Sequence, residues 1–240
     1  MNKQTQAQWK PTCKRFIAFM DIMGFKDLLF RGDHKSILLT IKSFRSSIYP
    51  LNKDANLKGH NSHAKPMIKP IFFSDSILLI SNDDSKESAE ELLFKAQWLL
   101  GQALLVGIPM KGAIAYGEQT ADFNKSLHIG RPLVHAYELQ NELFLYGIVL
   151  HHTMEHYLNS IKIVSYLEEN GLICNYETPM KSGNITHWLT EWDKDFLKKD
   201  TLDAVLTRLY GSVSGPPRRY VDNTANFARW LNKPKPRNKS

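Results

Sequence analysis

The chain has 240 residues, of which 42% are hydrophobic and 23% are charged, a balance typical of soluble globular proteins. No run approaches the roughly 18 apolar residues of a membrane helix, and the N-terminal MNKQTQAQWK lacks the apolar core of a secretory signal, so we expect neither a membrane span nor secretion. The two cysteines, Cys13 and Cys174, cannot build a disulfide framework or a cysteine-based zinc site on their own. By elimination, we expect a reduced, cytoplasmic setting.

The formal net charge of +7 is concentrated at the C-terminus. Residues 218–240 contain seven basic residues and one acidic residue, which leaves about +1 for the rest of the chain. We interpret this tail as a solvated chain end, with contact to nucleic acid or to an acidic surface as the alternative. The body of the protein does not have the charge of a nucleic-acid-binding surface, so we do not expect a nucleic-acid partner.

Taken in chain order, short apolar runs alternate with segments of helical spacing. Strands are predicted at residues 15–20, 67–73, 77–80, 111–117 and 146–149, with a hairpin over 172–189. Helices are predicted at residues 35–49, 85–106, 132–142, 152–158, 191–210 and 220–232. A polar stretch over 51–66 is predicted to be a surface loop. Residues 127–130 are expected to be connecting chain that leads into the helix over 132–142.

The second and third strands read as a hairpin around Ser74-Asp75-Ser76. Strands alternating with helices, together with this hairpin, predict an α/β (α+β) sandwich of the ferredoxin-like kind with a mixed sheet. We expect an N-terminal extension over 1–14, one domain over 15–232 and a basic tail over 233–240. Within the domain, the motifs described below fall in 15–142, and 143–232 is a C-terminal elaboration.

Two aspartates stand out in apolar surroundings. Asp21 ends the strand RFIAFM, and Asp75 lies in the hairpin turn. A buried carboxylate costs several kcal/mol unless it is paired or bound to metal, so these acids are not there for packing. If the first strand pairs with the hairpin, both carboxylates reach one edge of the sheet and form a hard oxygen site suited to Mg²⁺ or Mn²⁺. Singly, Asp21 as a helix cap and Asp75 as a turn residue remain open.

The order of four motifs resembles the catalytic domains of class III adenylate and guanylate cyclases. Asp21 to Phe25 matches the D-I-x-G-F motif of that family, and Asp75 lies where its second metal aspartate lies. Residues 107–117 (GIPMKGAIAYG) match its glycine-bounded strand, and Ile129-Gly130 with Ala136 match the helix that follows. The resemblance implies the class III fold, with a mainly antiparallel sheet flanked by helices.

The resemblance also implies a chemistry. Asp21, Asp75 and the backbone carbonyl of Ile22 would bind two Mg²⁺ or Mn²⁺ ions, and the backbone N–H groups of Met23, Gly24 and Phe25 would hold phosphate oxygens. The nucleotide 3′-hydroxyl would attack the α-phosphorus and expel pyrophosphate. Because the family forms head-to-tail dimers, a homodimer with active sites at the interface is implied.

The sequence departs from the purine cyclases at four positions. The base-reading lysine falls on Ile71, and its acidic partner falls on Leu127. The asparagine and arginine that stabilise the transition state fall on Val134 and Glu138. These departures argue against purine recognition through the usual pair, and they leave the source of positive charge open.

Residues 130–139 and 219–227 (RYVDNTANF) resemble the pyrimidine cyclases of the Pycsar anti-phage systems. That resemblance implies cyclic UMP or cyclic CMP as product, with UTP favoured over CTP, and a separate effector that responds to the product rather than to contact. An ATP or GTP cyclase with unconventional base recognition and a catalytically inactive nucleotide-binding module remain the alternatives.

Several side chains are candidates for the groups that the motifs lack. The positive charge is sought at Lys111, Arg131, Arg218 and Arg219, of which Arg131 and Arg219 are the catalytic candidates. Tyr137 and Asn223 are candidates for substrate binding, although Tyr137 as packing and Asn223 as a cap of the last helix remain open. His151 and His152 lack a nearby third ligand in the sequence, so no zinc site is predicted there.

Overall fold

The structure is a computed structural model that describes residues 9–31, 33–48, 67–192 and 199–233. The predicted loop over 51–66, the start of the N-terminal extension and the basic tail from residue 234 lie outside the described residues, as do residues 193–198 of the helix predicted over 191–210. Residues 191 and 192 are described and are not helical.

The described residues form an α/β structure built on one sheet. Its strands are β1 (Thr12–Ile22), β2 (Ile68–Phe73), β3 (Ser76–Ser81), β4 (Met110–Asp122), β5 (Leu127–Gly130), β6 (Ile148–Leu150), β7 (Ile173–Met180) and β8 (Gly183–Thr190). The helices are α1 (Phe25–Arg31), α2 (His34–Ile48), α3 (Lys86–Leu105), α4 (Arg131–Glu142), α5 (His152–Ser160), α6 (Val164–Glu169), α7 (Lys199–Ser212) and α8 (Arg218–Leu231).

The order of the strands is β2-β3-β1-β4-β6-β8-β7, and β5 pairs with β4 beside this path. The three pairs formed among β2, β3, β1 and β4 are antiparallel. The next strand, β6, runs parallel to β4. The arrangement β2-β3-β1-β4, with helices between β1 and β2 and between β3 and β4, is the ferredoxin-like pattern. The predicted fold class is therefore confirmed.

Helix α3 supplies a large part of the core, because it packs against β1, β3 and β4 and has a nearly continuous buried surface. Ser85 caps it by accepting a hydrogen bond from the backbone N–H of Ser88 at 3.2 Å, as the sequence predicts. Helix α4 packs against β1 and β4, and the ring of its Tyr137 meets the ring of Phe19 edge-on.

Three elements differ from the sequence prediction. Residues 127–130 form a short strand, because the chain turns back after β4 and pairs with it. Helix α6 was not predicted, and α1 was expected only as the helix into which the first strand opens, since each spans less than two full turns and such short segments give little periodicity. The hairpin over 172–189 and the helix pattern over 220–232 correspond to β7–β8 and α8.

Candidate metal centre

The structure brings Asp21 and Asp75 to the same edge of the sheet. Asp21 lies opposite Ser76 in the β1–β3 pairing, and Asp75 directly precedes Ser76 in the β2–β3 turn. The backbone N–H of Ile22 donates to the carbonyl of Asp75 at 2.9 Å, so the backbone joins the two segments. The sequence expectation that β1 pairs with the hairpin holds, and the two carboxylates share one neighbourhood.

The two acids also interact electrostatically. The pKa of Asp21 is raised from 3.8 to about 6, first by burial of the carboxylate and second by the negative charge of Asp75, while the positive charge of Lys111 opposes the rise. Two carboxylates that repel each other across a partly buried edge are unfavourable without a counter-charge. A divalent cation between them would remove that repulsion.

Lys111 is a buried cation on β4 next to Asp21. It lies opposite Asp21 in the β1–β4 pairing and is only 3% exposed. Its Nζ donates to the backbone carbonyls of Asn141, at 3.3 Å, and of Leu143, at 3.2 Å, where α4 ends. Burial, and then the charge of Lys181, lowers the pKa of Lys111 to about 8, whereas Asp21 and Glu142 act in the opposite direction. Lys111 thus presents a buried, readily titrated positive charge beside the acids.

The donors present suit a hard divalent cation. Two carboxylates and the backbone oxygen of Ile22 are all oxygen donors, which Mg²⁺ and Mn²⁺ prefer. Within the described residues, no group of three or more His, Cys, Asp or Glu side chains is placed to hold a metal. Two carboxylates and one carbonyl leave ligand positions that phosphate oxygens and water could fill.

The expected phosphate cradle needs one correction. The backbone N–H of Met23 donates to the carbonyl of Pro109 at 2.8 Å, so this group is already used to hold the end of β1 against the start of β4. Gly24 has a φ of +73°, a conformation that glycine adopts without strain and that turns the chain into α1. The N–H groups of Gly24 and Phe25 are left as the candidate donors.

The two positions that would read a purine base carry only apolar side chains. Ile71 lies opposite Leu78 on β2 and packs against a small cluster that contains Ile17 and Ile80. Leu127 starts β5, toward the end of the sheet away from Asp75. The structure does not bring Leu127 together with Asp21 within one chain.

Two of the candidate arginines, Arg131 and Arg219, lie at opposite ends of α4. Arg131 begins α4 beside the β4–β5 pairing, at the end of the sheet away from Asp21, so it does not belong to the same site within one chain. The guanidinium of Arg219 lies 4.7 Å from the centre of the Phe144 ring, just beyond the end of α4. Because Lys111 contacts Leu143, Arg219 is the candidate nearer to the acids. The guanidinium of Arg218 lies 5.1 Å from the ring of Tyr210.

Asn223 and Tyr137 have different surroundings from those expected. The side-chain amide of Asn223 donates to the carbonyl of Phe144 at 2.7 Å, and Pro217, rather than Asn223, is the N-cap of α8. Asn223 therefore anchors α8 to the chain after α4. Tyr137 is 51% exposed, so it is available on the surface of α4 rather than packed inside.

Sequence reasoning missed the surroundings of Lys111. The carbonyls at the end of α4 and the ring of Tyr220, 5.5 Å from Nζ, all converge on this lysine. Its position one residue before Gly112 was visible, but the carbonyl contacts come from residues 30 and 32 positions further along the chain. No local pattern signals such contacts.

Three solved structures are similar to the chain. Among solved structures, the chain is similar to the catalytic core of a rhodopsin-guanylyl cyclase with converted specificity in complex with ATPαS, with a TM-score of 0.55, 12% identity and coverage of 77% of this chain and 100% of that one. It also matches the guanylyl cyclase Cya2, with a TM-score of 0.44, 12% identity and coverage of 77% and 93%. A third match is a class III adenylyl cyclase-like ATP-binding protein from Pseudomonas aeruginosa, with a TM-score of 0.45, 13% identity and coverage of 97% and 47%.

No protein-family model matches the sequence, and neither does any curated protein. In the described part of the chain, none of the helices combines the length and apolar character needed to cross a lipid bilayer. At 12% identity, the first of these similarities speaks for the fold. The chain has the fold of that guanylyl cyclase catalytic core.

Proposed function

We propose that the protein is a nucleotide cyclase that converts a nucleoside triphosphate to its 3′,5′-cyclic monophosphate and pyrophosphate. The observation that carries this proposal is the pair Asp21 and Asp75, which the cyclase fold places at one edge of the sheet with a raised pKa for Asp21. A packing role does not explain two mutually repelling carboxylates that are retained at this edge.

In this proposal Asp21, Asp75 and the carbonyl of Ile22 hold two Mg²⁺ or Mn²⁺ ions. When bound, such ions lower the pKa of a substrate hydroxyl and neutralise phosphate charge. The N–H groups of Gly24 and Phe25 hold phosphate oxygens of the substrate. Lys111, fixed by the carbonyls of Asn141 and Leu143, keeps a positive charge beside Asp21 and stabilises its ionised form.

Arg219 is the arginine that we place nearest to the reacting phosphates, since it lies against Phe144 at the end of α4. An arginine that approaches the phosphoryl group as charge develops lowers the barrier by several kcal/mol. Arg131, at the other end of α4, would serve a substrate bound at Asp21 only if it came from the second subunit of a dimer.

A pyrimidine nucleotide is the preferred substrate, with UTP favoured over CTP. The purine-reading positions are occupied by Ile71 and Leu127, whose apolar side chains offer no hydrogen bond to a base edge. Following the resemblance of residues 130–139 and 219–227, the product would be a second messenger of anti-phage defence that activates a separate effector. The alternative is a cyclase for ATP or GTP with a different base contact.

The proposal includes a homodimer whose interface covers the metal site. Phe73 on β2 is 76% exposed and lies two residues before Asp75, and Val134 and Tyr137 are about half exposed on α4. Phe73 and Tyr137 lie on the face of the sheet that carries Phe19 and Asp21. A second copy that covers this apolar face would enclose the metal site between two chains.

The test incubates the purified protein with Mn²⁺ and each of ATP, GTP, CTP and UTP, and identifies the products by mass spectrometry. Cyclic UMP or cyclic CMP that is lost in Asp75→Ala is the expected result. A cyclic purine nucleotide would leave the metal site in place and refute the base assignment. No product from any of the four would refute the activity proposed for this chain and favour an inactive nucleotide-binding module.

A further inference from the structure

The segment over residues 143–147 joins α4 to β6 and belongs to no helix or strand. Its backbone groups find their partners in other elements. The N–H of Phe144 donates to the carbonyl of Pro179 at 2.9 Å, and the carbonyl of Gly147 accepts from the N–H of Gly112 at 2.9 Å. Because backbone groups away from water need partners, the position of this segment depends on the residues that supply them.

Helix α8 supplies two of these partners from adjacent positions. The side-chain amide of Asn223 donates to the carbonyl of Phe144 at 2.7 Å, and the hydroxyl of Thr224 accepts from the backbone N–H of Tyr146 at 2.9 Å. The Thr224 hydroxyl donates in turn to the carbonyl of Tyr220 at 2.6 Å, one turn earlier in α8. Thr224 has no exposed surface, so water is not at hand to replace either of its hydrogen bonds.

Side chains of α8 contact the same segment through its rings. The ring of Tyr220 lies 4.3 Å from that of Phe144 and 5.8 Å from that of Tyr146, measured between centres. The guanidinium of Arg219 lies 4.7 Å from the centre of the Phe144 ring. Ring contacts bring α8 and the segment together, whereas the directional hydrogen bonds of Asn223 and Thr224 fix their relative position.

The segment held by α8 is also the segment that holds Lys111. The Nζ of Lys111 donates to the carbonyl of Leu143 at 3.2 Å, and Leu143 directly precedes Phe144. The same Nζ lies 5.5 Å from the centre of the Tyr220 ring on α8. Since Lys111 lies opposite Asp21 in the β1–β4 pairing, a chain of contacts leads from α8 through the segment to the acids.

We propose that Asn223 and Thr224 are positioning residues that hold Lys111 beside Asp21 by fixing the segment over 143–147. The inference rests on the nucleotide cyclase function proposed above, in which Lys111 is the cation next to the first metal aspartate. It gives α8 a part in that reaction that requires no contact between Asn223 or Thr224 and the substrate.

The test measures how fast Lys111 is acetylated by an N-hydroxysuccinimide ester in the full chain, at pH 8 in EDTA and without nucleotide, by peptide mass spectrometry. In the unmodified protein Lys111 should be protected, as should Lys95, a second buried lysine on α3. Asn223→Leu keeps the size of the side chain but cannot donate, so acetylation of Lys111 should become about tenfold faster while Lys95 stays protected. The matched control, Asn226→Leu, changes an exposed asparagine of the same helix and should leave both lysines protected.

Asn223→Gln keeps an amide donor and should restore most of the protection that Asn223→Leu loses. Equal protection of Lys111 in Asn223→Leu and Asn226→Leu would overturn the proposal. A joint loss at Lys111 and Lys95 would overturn it too, because that pattern means general loosening of the fold. If Asn223→Leu proves unfolded by circular dichroism, Asn223→Asp is compared with Asn223→Gln. Only the aspartate variant, which is ionised at pH 8 and cannot donate, should then expose Lys111, and equal protection in the two variants would count against the proposal.

Acetylation requires no turnover, so a failed cyclase assay and a failed positioning role are distinguishable. Where the cyclase assay gives product, Asn223→Leu should lower turnover about tenfold and Asn223→Gln should recover most of it. Full turnover in an Asn223→Leu protein whose Lys111 is acetylated rapidly would show that the reaction does not depend on the position of this lysine, which would overturn the link between α8 and the site.

Discussion

Replacing Asp75 by asparagine is expected to stabilise the metal-free protein while abolishing its response to metal. The rise in the pKa of Asp21 from 3.8 to about 6 corresponds to about 3 kcal/mol against its ionised form. Burial is the larger cause and solvent screens part of the rest, so we assign about 1 kcal/mol to the charge of Asp75. Asparagine keeps the turn-forming side chain and removes that charge.

The pH dependence follows from Asp21. Well above pH 6 its carboxylate is ionised in the folded protein, so the benefit of Asp75→Asn is fully present. As the pH falls from 6 toward 4, the folded protein takes up a proton at Asp21 before the unfolded chain does, the repulsion disappears and the benefit fades. For the unmodified protein the same group favours folding increasingly over this interval.

Thermal unfolding at pH 7.5 in EDTA tests this reasoning, followed by the same measurement with Mn²⁺. A gain of about 1 kcal/mol would raise Tm by about 2–4 °C for a domain of this size. Saturating Mn²⁺ should stabilise the unmodified protein by about 2.7 kcal/mol at a hundredfold excess over Kd and should affect Asp75→Asn much less. Asp203→Asn, an exposed aspartate on α7, is the control. A loss of stability in EDTA, or a gain that is the same at pH 5 and pH 7.5, would refute the repulsion between the two acids.

Three further changes probe the elements around this site. Ser74 has a φ of +54° in the turn before Asp75, so Ser74→Gly should stabilise the protein by about 1 kcal/mol in chemical denaturation, whereas Ser74→Ala should not. Gly112→Ala should destabilise the protein by more than about 2 kcal/mol or prevent folding, because the new Cβ would lie 2.7 Å from the carbonyl oxygen of Phe19. Gly211→Ala is the control, since a Cβ added there would meet no atom of another element within 4 Å. Lys111→Met should keep the fold, as judged by circular dichroism, but lower cyclase turnover at least about a hundredfold and raise the pKa of Asp21, and unchanged turnover would remove Lys111 from the site.

The fold was accessible from the sequence because its signals are local. The apolar run before Asp21, the two runs around Ser74-Asp75-Ser76 and the capped start at Ser85 each fix an element within a few residues. The family motifs then ordered these elements. What local patterns do not contain is the pairing of β5 with β4 or the parallel entry of β6 beside β4, since both depend on contacts between distant segments.

The residues of the candidate site also divide into those with a local sequence signal and those placed by contacts between distant segments. Asp21 and Asp75 were found because a carboxylate inside an apolar run is conspicuous, and the pairing of β1 with β3 brought them together as expected. Arg131 and Met23 could not be placed from spacing. The first depends on the direction in which α4 crosses the sheet, and the second on a backbone hydrogen bond to Pro109 that no side chain announces.

The proposed dimer makes a prediction that separates assembly from folding. Phe73 is 76% exposed two residues before Asp75, and burying such a ring in an interface contributes about 2–3 kcal/mol. Phe73→Gln should therefore shift the dimer toward monomer in light scattering and lower cyclase turnover, while circular dichroism and Mn²⁺-free unfolding remain unchanged, because the side chain makes little contact within its own chain and glutamine adds no charge beside Asp21. Ile185→Gln, at an exposed position on β8, is the matched control and should remain dimeric and active. A Phe73→Gln protein that dimerises like the unmodified protein would place the interface elsewhere, and a monomer with full turnover would show that one chain contains the whole active site.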